Sequence, residues 1–257
     1  MLYSYIQFRL YFVAGLSSYW YKAFGRYGTP SGSESIEYTE GWRVRVRLAY
    51  YDTRELSDPS LYGQGLRALV WDERRRQAER LLQPRDRRLC VGAGLLAQGM
   101  LVKAGATDLT LAYGEHGKPY LARHPSIHFN LSHSGDYALC AVADRPVGVD
   151  IQEMVDYDEA LARHCMCDDE LAWLAGQGDK SRALTRLWVR KESYIKLTGE
   201  GLSRNPITLC VIDDCEHPLA DGRVSFSEFE VPGCIICTCM HDDRKVALRR
   251  WDMTWKR

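Results

Sequence analysis

The chain has 257 residues, 46% of them hydrophobic, which suffices for one large or two small globular cores. Its formal net charge is zero, so no global field favours nucleic acid or a membrane surface. Nine cysteines, an odd number in irregular spacing, argue for a reducing compartment such as the cytoplasm.

Residues 1–30 are rich in Tyr, Phe and Trp and contain no acidic side chain. Gln7 and Arg9 break the apolar run that a membrane-spanning helix needs, so no stable membrane insertion is expected. The plain apolar region and small-residue cleavage site of a secretory signal are missing. An acid-poor targeting segment, a helix packed on the domain or on a membrane surface, and an extension without function all fit this composition. Thr29 to Gly41, rich in Gly, Ser and Glu, reads as a linker, so 1–41 is taken as an N-terminal extension.

From Trp42 to Leu48 apolar residues alternate with arginines, the pattern of a half-buried strand. Trp71 to Lys103 reads as helices broken near Pro84, with Gly92 and Gly94 allowing close packing. Leu109 to Tyr120 and Ile127 to Val142 read as strands, with turns at Gly114–Gly117 and Ser134–Gly135. Asp144-Arg145-Pro146 turns into a strand that carries Asp150. Tyr157 to Leu174 and Ser181 to Leu197 show helical spacing. Val224 to Val231, Cys234 to Met240 and Val246 to Trp251 alternate like a closing antiparallel sheet. Strand, long helices and strands thus occur twice, the order expected of an α+β fold built from two similar halves.

On the helix after Ser181, Trp188, Glu192 and Lys196 stand at i, i+4 and i+8 and share a face. A carboxylate from the Asp150 strand and one from this helix can hold a divalent ion, and the neighbouring lysine can neutralise a phosphate. Together they form a constellation for phosphoryl transfer. Alone, Glu192 and Lys196 equally describe a solvated ion pair worth ~0.3–0.5 kcal/mol. Gly148-Val149-Asp150 alone describes a turn. Arg74, Arg75, Arg76, Arg80, Arg85, Arg87 and Arg88 form either an anion site or a solvated helix face. Cys165, Cys167, Cys234, Cys237 and Cys239 invite a zinc reading, but residues 234–240 look like a buried strand in which cysteine acts as a small hydrophobe. His133 between Ser132 and Ser134 invites a hydrolase reading, yet adjacent strand residues face opposite ways and no nucleophile elbow is present. No Gly-rich phosphate loop supports ATP or NAD chemistry.

Gly148-Val149-Asp150 followed by Trp188-x-x-Lys191-Glu192-Ser193-x-x-Lys196 resembles the pattern of the 4'-phosphopantetheinyl transferases, most closely the monomeric surfactin-type branch. Gly117-Lys118-Pro119, Phe129-Asn130-Leu131-Ser132-His133-Ser134 and Gly199-Glu200-Gly201-Leu202 agree with it, so the resemblance runs from Trp42 to the C-terminus. It implies two α+β subdomains about a pseudo-twofold axis, here 42–145 and 146–257, with the active site in the cleft between them. It also implies transfer of the phosphopantetheine arm of coenzyme A to a serine of an acidic, helical acyl or peptidyl carrier protein, releasing 3',5'-ADP. By the same resemblance Asp150 and Glu192 hold Mg²⁺, Glu192 takes the serine proton and Lys196 assists the leaving group. The resemblance also implies that Ser132, His133 and Lys118 contact coenzyme A, and the arginine patch, with Arg76 and Arg88, is expected to serve the coenzyme A phosphates or an acidic carrier protein. The chain departs at Gln152, where an acidic residue is common, which makes Gln152 a weak or indirect metal ligand. It also has Val189 where a small hydroxyl or thiol is common, a position expected to face packing. A carrier-binding module that keeps the fold and has lost transfer is the alternative, and only Gln152 favours it.

Because the core pattern starts at Trp42, removal of residues 1–40 is expected to leave melting temperature and transfer activity unchanged. An insoluble product would place aromatic residues of the extension in the core, where burial of each is worth ~1.5–3 kcal/mol.

Overall fold

The computed structural model describes residues 46–201, 204–212 and 224–253. The sequence readings for the extension 1–41, for the first residues of the strand from Trp42 and for Leu202 lie outside them.

In chain order, β1 (Arg47–Asp52) leads through a short 3-10 turn (Thr53–Ser57) to α1 (Pro59–Ala68), α2 (Asp72–Arg80) and α3 (Pro84–Lys103). The short hairpin β2 (Leu111–Tyr113) and β3 (Pro119–Leu121) follows, then β4 (His128–Ser134) and β5 (Tyr137–Ala143). The second half repeats the plan with β6 (Gly148–Glu153), α4 (Glu159–Cys165), α5 (Asp168–Ala175), α6 (Lys180–Thr198), β7 (Ser225–Val231) and β8 (Cys234–Met240). A last short strand, β9, spans Leu248–Arg250.

Several boundaries differ from the sequence reading for identifiable reasons. The break read near Pro84 is there, between Arg80 and Pro84, and Pro84 itself starts α3, since its missing N–H falls where no helical bond is made. Helix α1 was not foreseen, although Asp58 before Pro59 marks its start: the carboxylate accepts the amides of Ser60 and Leu61. The single helix expected over 157–174 is two, because Met166 is extended and Glu170 reaches back to the Cys167 amide in a capping box. The strand expected to close the C-terminal sheet does not join it. Instead β9 pairs in parallel with β1, so the chain returns to the first sheet.

Besides the two-stranded β2-β3 sheet, the described residues form two larger sheets, with strand orders β4-β5-β1-β9 and β6-β8-β7. In each half the first strand lies antiparallel to the last, and a hairpin precedes or completes that pair. The sheets meet face to face. Tyr137, Leu139 and Ala141 of β5 cluster with Val149 and Ile151 of β6 and with Ile236 of β8. The alternate β5 residues, Ala138, Cys140 and Val142, pack on α3 through Val91 and Leu95. Strand β5 is buried on both faces, which accounts for its nearly unbroken apolar run. On the far side α6 covers the second sheet: Val189 packs on Ile235 and Cys237, while Tyr194, Ile195 and Leu197 pack on Cys239. The thiols of β8 are interior hydrophobes, with burial raising the pKa of each.

The closest approach in this packing is between α6 and the start of β6. A Cβ built on Gly148 would lie 1.9 Å from the Ser193 carbonyl oxygen and 2.4 Å from the Leu197 amide nitrogen. Both are backbone atoms that cannot rotate away. Gly148→Ala should therefore push α6 off the sheet and cost at least about 2–3 kcal/mol, the upper range for overpacking. Thermal unfolding should register this as a fall of about 2–4 °C per kcal/mol. An unchanged melting temperature would mean that the strand and helix are not held at this distance.

Candidate active site

Along β6, Gly148, Asp150 and Gln152 alternate onto the face covered by α6. Asp150 is 1% exposed. Its Oδ1 accepts from Lys196 Nζ at 2.6 Å and from Ser132 Oγ at 2.7 Å. Lys196 Nζ also donates to Ser132 Oγ at 2.9 Å, closing a triangle of three side chains from β4, β6 and α6. Lys196 remains 23% exposed, so a third N–H is available toward the opening. The other oxygen of Asp150, Oδ2, is buried and has no hydrogen-bond partner.

Glu192 lies one turn before Lys196 and is half-buried. Burial, reinforced by the Asp150 carboxylate and opposed by Lys196, pushes its pKa up to about 7. The Asp150 carboxylate stands beside Glu192 and keeps one buried oxygen without a protein partner. The residues therefore fit a hard divalent ion with oxygen ligands. Gln152 bonds through its amide nitrogen to the Glu153 carbonyl at 3.2 Å, leaving the amide oxygen as the atom it can offer.

Two of the sequence-derived contacts find other partners. Ser132 has one proton, and Asp150 takes it; its lone pairs accept from Lys196 and, at 3.4 Å, from the Ile151 amide. No donor is left on Ser132 for a phosphate. Lys118 donates to the Leu197 carbonyl at 2.9 Å and to the Val147 carbonyl at 3.4 Å. It thereby ties the C-terminal end of α6 to the entry of β6, beside Gly199, whose positive φ ends the helix. Burial lowers the Lys118 pKa to about 8. Ser132 holds the site's frame in this arrangement, while Lys118 does so with two of its three N–H donors and keeps a third.

His133 points away from Ser132 along β4. Burial first, then the charges of Arg74 and Lys196, hold its pKa down to about 4, so the ring is neutral at pH 7. The arginine cluster divides. Arg75 caps the Leu66 and Leu69 carbonyls, Arg87 the Leu81 carbonyl and Arg74 the Cys90 carbonyl. Arg85 binds the Gly135 carbonyl, Asp136 and Glu153. Arg76 and Arg80 are exposed on α2. Arg88 on α3 is 3.9 Å from Asp136 and has a buried Nε without a hydrogen-bond partner. Among the seven, Arg88 and the exposed pair are thus the ones with donors left for an anion.

Sequence reading did not identify the clamp beneath the site. Lys191 is fully buried and bonds Glu170 at 2.6 Å and the Pro206 and Leu209 carbonyls at 2.7 and 2.5 Å. Glu170 in turn accepts the amides of Cys167 and Val211. These bonds fasten α5 and the segment after α6 to the helix that bears Glu192. Helical spacing gave the signal: Lys191 lies on the apolar side of α6 with Leu184, Leu187 and Ile195, where a solvated lysine does not belong.

Residues 146–249 match the 4'-phosphopantetheinyl transferase superfamily. The chain is 47% identical over 90 residues to 4'-phosphopantetheinyl transferase psf-1 of Bacillus pumilus, covering 34% of this chain and 39% of that protein. It is 33% identical over 141 residues to a 4'-phosphopantetheinyl transferase of Bacillus subtilis, covering 53% and 63% respectively. It is 31% identical over 160 residues to 4'-phosphopantetheinyl transferase HetI of a Nostoc species, covering 58% and 68%. The aligned part thus spans less than two thirds of the first two relatives.

Removing one partner of the clamp strands a buried charge. Lys191→Met should cost about 3–5 kcal/mol in urea unfolding. The double variant Lys191→Met, Glu170→Gln removes the stranded charge while keeping one of the two amide acceptors, and should recover part of that loss. A double variant no better than the single one would show that the charge pairing is not what Lys191 supplies.

Proposed function

The chain belongs to the 4'-phosphopantetheinyl transferase family, and on that premise we propose that it moves the phosphopantetheine arm of coenzyme A onto a serine of an acyl or peptidyl carrier protein. The observation that carries the reading is the Asp150–Ser132–Lys196 triangle with Glu192 beside it and one carboxylate oxygen left unpartnered.

In this reading Asp150 and Glu192, with Gln152 as an uncharged neighbour, would hold Mg²⁺. When bound, the ion supplies positive charge to the phosphate oxygens. The serine hydroxyl attacks the phosphorus next to pantetheine. A Ser O–P bond forms, the P–O bond to the nucleotide breaks, and 3',5'-ADP leaves. Glu192 accepts the serine proton, a role suited to a carboxylate poised near neutrality. Lys196 uses its open N–H to stabilise charge that grows on the leaving phosphate. Arg76, Arg88 and His133 serve the remaining phosphates of coenzyme A, while Ser132 and Lys118 hold the frame. A neutral His133 offers a ring N–H to a phosphate oxygen without adding charge.

Subdomains 42–145 and 146–257 divide the labour, the first supplying nucleotide contacts and the second the carboxylates and Lys196. The exposed basic residues of α2 suit an acidic carrier protein. No helix among the described residues is long and apolar enough to cross a membrane. The buried free thiols of Cys90, Cys140, Cys234, Cys237 and Cys239 suit a protein working in a reducing compartment such as the cytoplasm. The weakened-module alternative loses ground because the charged residues of the site are all in place despite Gln152.

Incubation with coenzyme A, Mg²⁺ and an apo carrier protein should add one phosphopantetheine mass to the carrier, and chelation should stop it. Asp150→Ala and Glu192→Ala should each lower turnover by at least about 10²-fold, the scale for one preorganised electrostatic group. Lys196→Ala should lower kcat more than it weakens coenzyme A binding by calorimetry. Carrier that never gains mass would favour the binding module, and near-normal turnover of either carboxylate variant would sink the site assignment.

A further inference from the structure

Strand β6 has β8 on one side only, so the amides on its other edge need acceptors. Among the described residues no strand pairs there. Instead, Asn130 Oδ1 accepts from the Val149 amide at 2.9 Å, Ser132 Oγ from the Ile151 amide at 3.4 Å, and Ser134 Oγ from the Glu153 amide at 2.9 Å. Every second residue of β4 thus meets every second residue of β6. The partner lies 19 residues later each time, so the two strands run in the same direction in fixed register. Three side-chain oxygens do what a row of carbonyls does in a sheet. They join the edge of the first sheet to the edge of the second.

We propose that Asn130 and Ser134 are positioning residues for the transfer reaction, the outer rungs of a ladder that sets where Asp150 stands relative to Lys196 and Glu192. The inference rests on the proposed transferase reading. Asp150 lies between the rungs at Val149 and Ile151. The central rung, Ser132, is also the group that bridges Asp150 to Lys196. A slip of β6 by one residue would turn Asp150 off the α6 face, and a slip by two would put another residue in its place. Gly148 fixes how close β6 lies to α6, but a glycine contact does not stop sliding along the strand. The ladder does, because displacement breaks all three bonds together and strands partly buried amides. The motif that carries the resemblance, Asn130-x-Ser132-x-Ser134, therefore has a function at all three polar positions that none of them shows in isolation.

The test uses the full chain. Ser134→Ala and Asn130→Ala each remove one rung without touching the triangle, and Ser134→Thr keeps the hydroxyl. Four quantities are measured: kcat at saturating substrates, the Mg²⁺ concentration for half-maximal rate, coenzyme A affinity by calorimetry, and Mn²⁺ affinity by electron paramagnetic resonance without substrate. The alanine variants should lower kcat about 10-fold or more and weaken Mn²⁺ binding several-fold, the effect of a small misplacement of one reacting group. Coenzyme A affinity should change less than about 3-fold, since the nucleotide contacts do not lie on the ladder. Ser134→Thr should restore kcat and Mn²⁺ affinity. Amide exchange at Ile151 should quicken in Ser134→Ala, which reads the register even if the alanine variant at 130 folds poorly. A lowered melting temperature with unchanged kcat and Mn²⁺ affinity would overturn the proposal, leaving the ladder purely structural. So would a threonine variant as impaired as the alanine. If wild-type chain transfers nothing, the transferase reading fails, while Mn²⁺ affinity and Ile151 exchange still decide the ladder.

Discussion

The site depends on one backbone contact, the approach of α6 to β6 at Gly148. The strand brings Asp150 and the helix brings Glu192 and Lys196, and no covalent constraint relates them. Their spacing is set by how near the two backbones come, which only a residue without a side chain at position 148 permits. The Asp150–Lys196 bond at 2.6 Å follows from that approach. So does the rise in the Glu192 pKa, which needs Asp150 close by in a poorly solvated place.

Two lysines five residues apart on α6 show how a fold separates structure from chemistry. Lys191 is fully buried, and a carboxylate and two carbonyls use its three donors. It is saturated and can do nothing else. Lys196 makes two bonds, keeps part of its surface exposed and faces a carboxylate with one oxygen unsatisfied. Desolvating polar groups without partners is costly, so orphaned groups that persist in a packed site mark where a ligand belongs. Asp150 Oδ2 and Arg88 Nε are such groups, one anionic and one cationic. They match a cation and a phosphate.

A strand–helices–hairpin order occurs twice along the chain, with unlike side chains in each stretch. Asp150, Glu192 and Lys196 lie in the later one. Ser132, His133 and the arginines of α2 and α3 lie in the earlier one. Return of β9 to pair with β1 ties the end of the described chain into the first sheet, so the halves are linked by strand pairing as well as by their shared apolar layer. Opening one against the other would disturb the register on which the carboxylate depends.

Much of this was legible in the sequence. Periodicity located α6, β7 and β8 to within a residue or two, and i, i+4, i+8 spacing put Glu192 and Lys196 on one face. The packing role of Val189 and the interior thiols of β8 also followed from alternation. These are properties of neighbouring residues, and the chain alone determines them. Partner choice was not legible. Ser132 and Lys118 read as phosphate donors, yet their protons go to Asp150 and to two backbone carbonyls. The final strand read as part of the nearer sheet and joined the farther one. Lys191 stood in the motif without a role and is the most buried lysine of the helix. Which hydrogen-bond donors remain open depends on which acceptors folding brings within about 3 Å. That distance is set by long-range packing between segments the sequence keeps far apart, and so only the tertiary structure decided it.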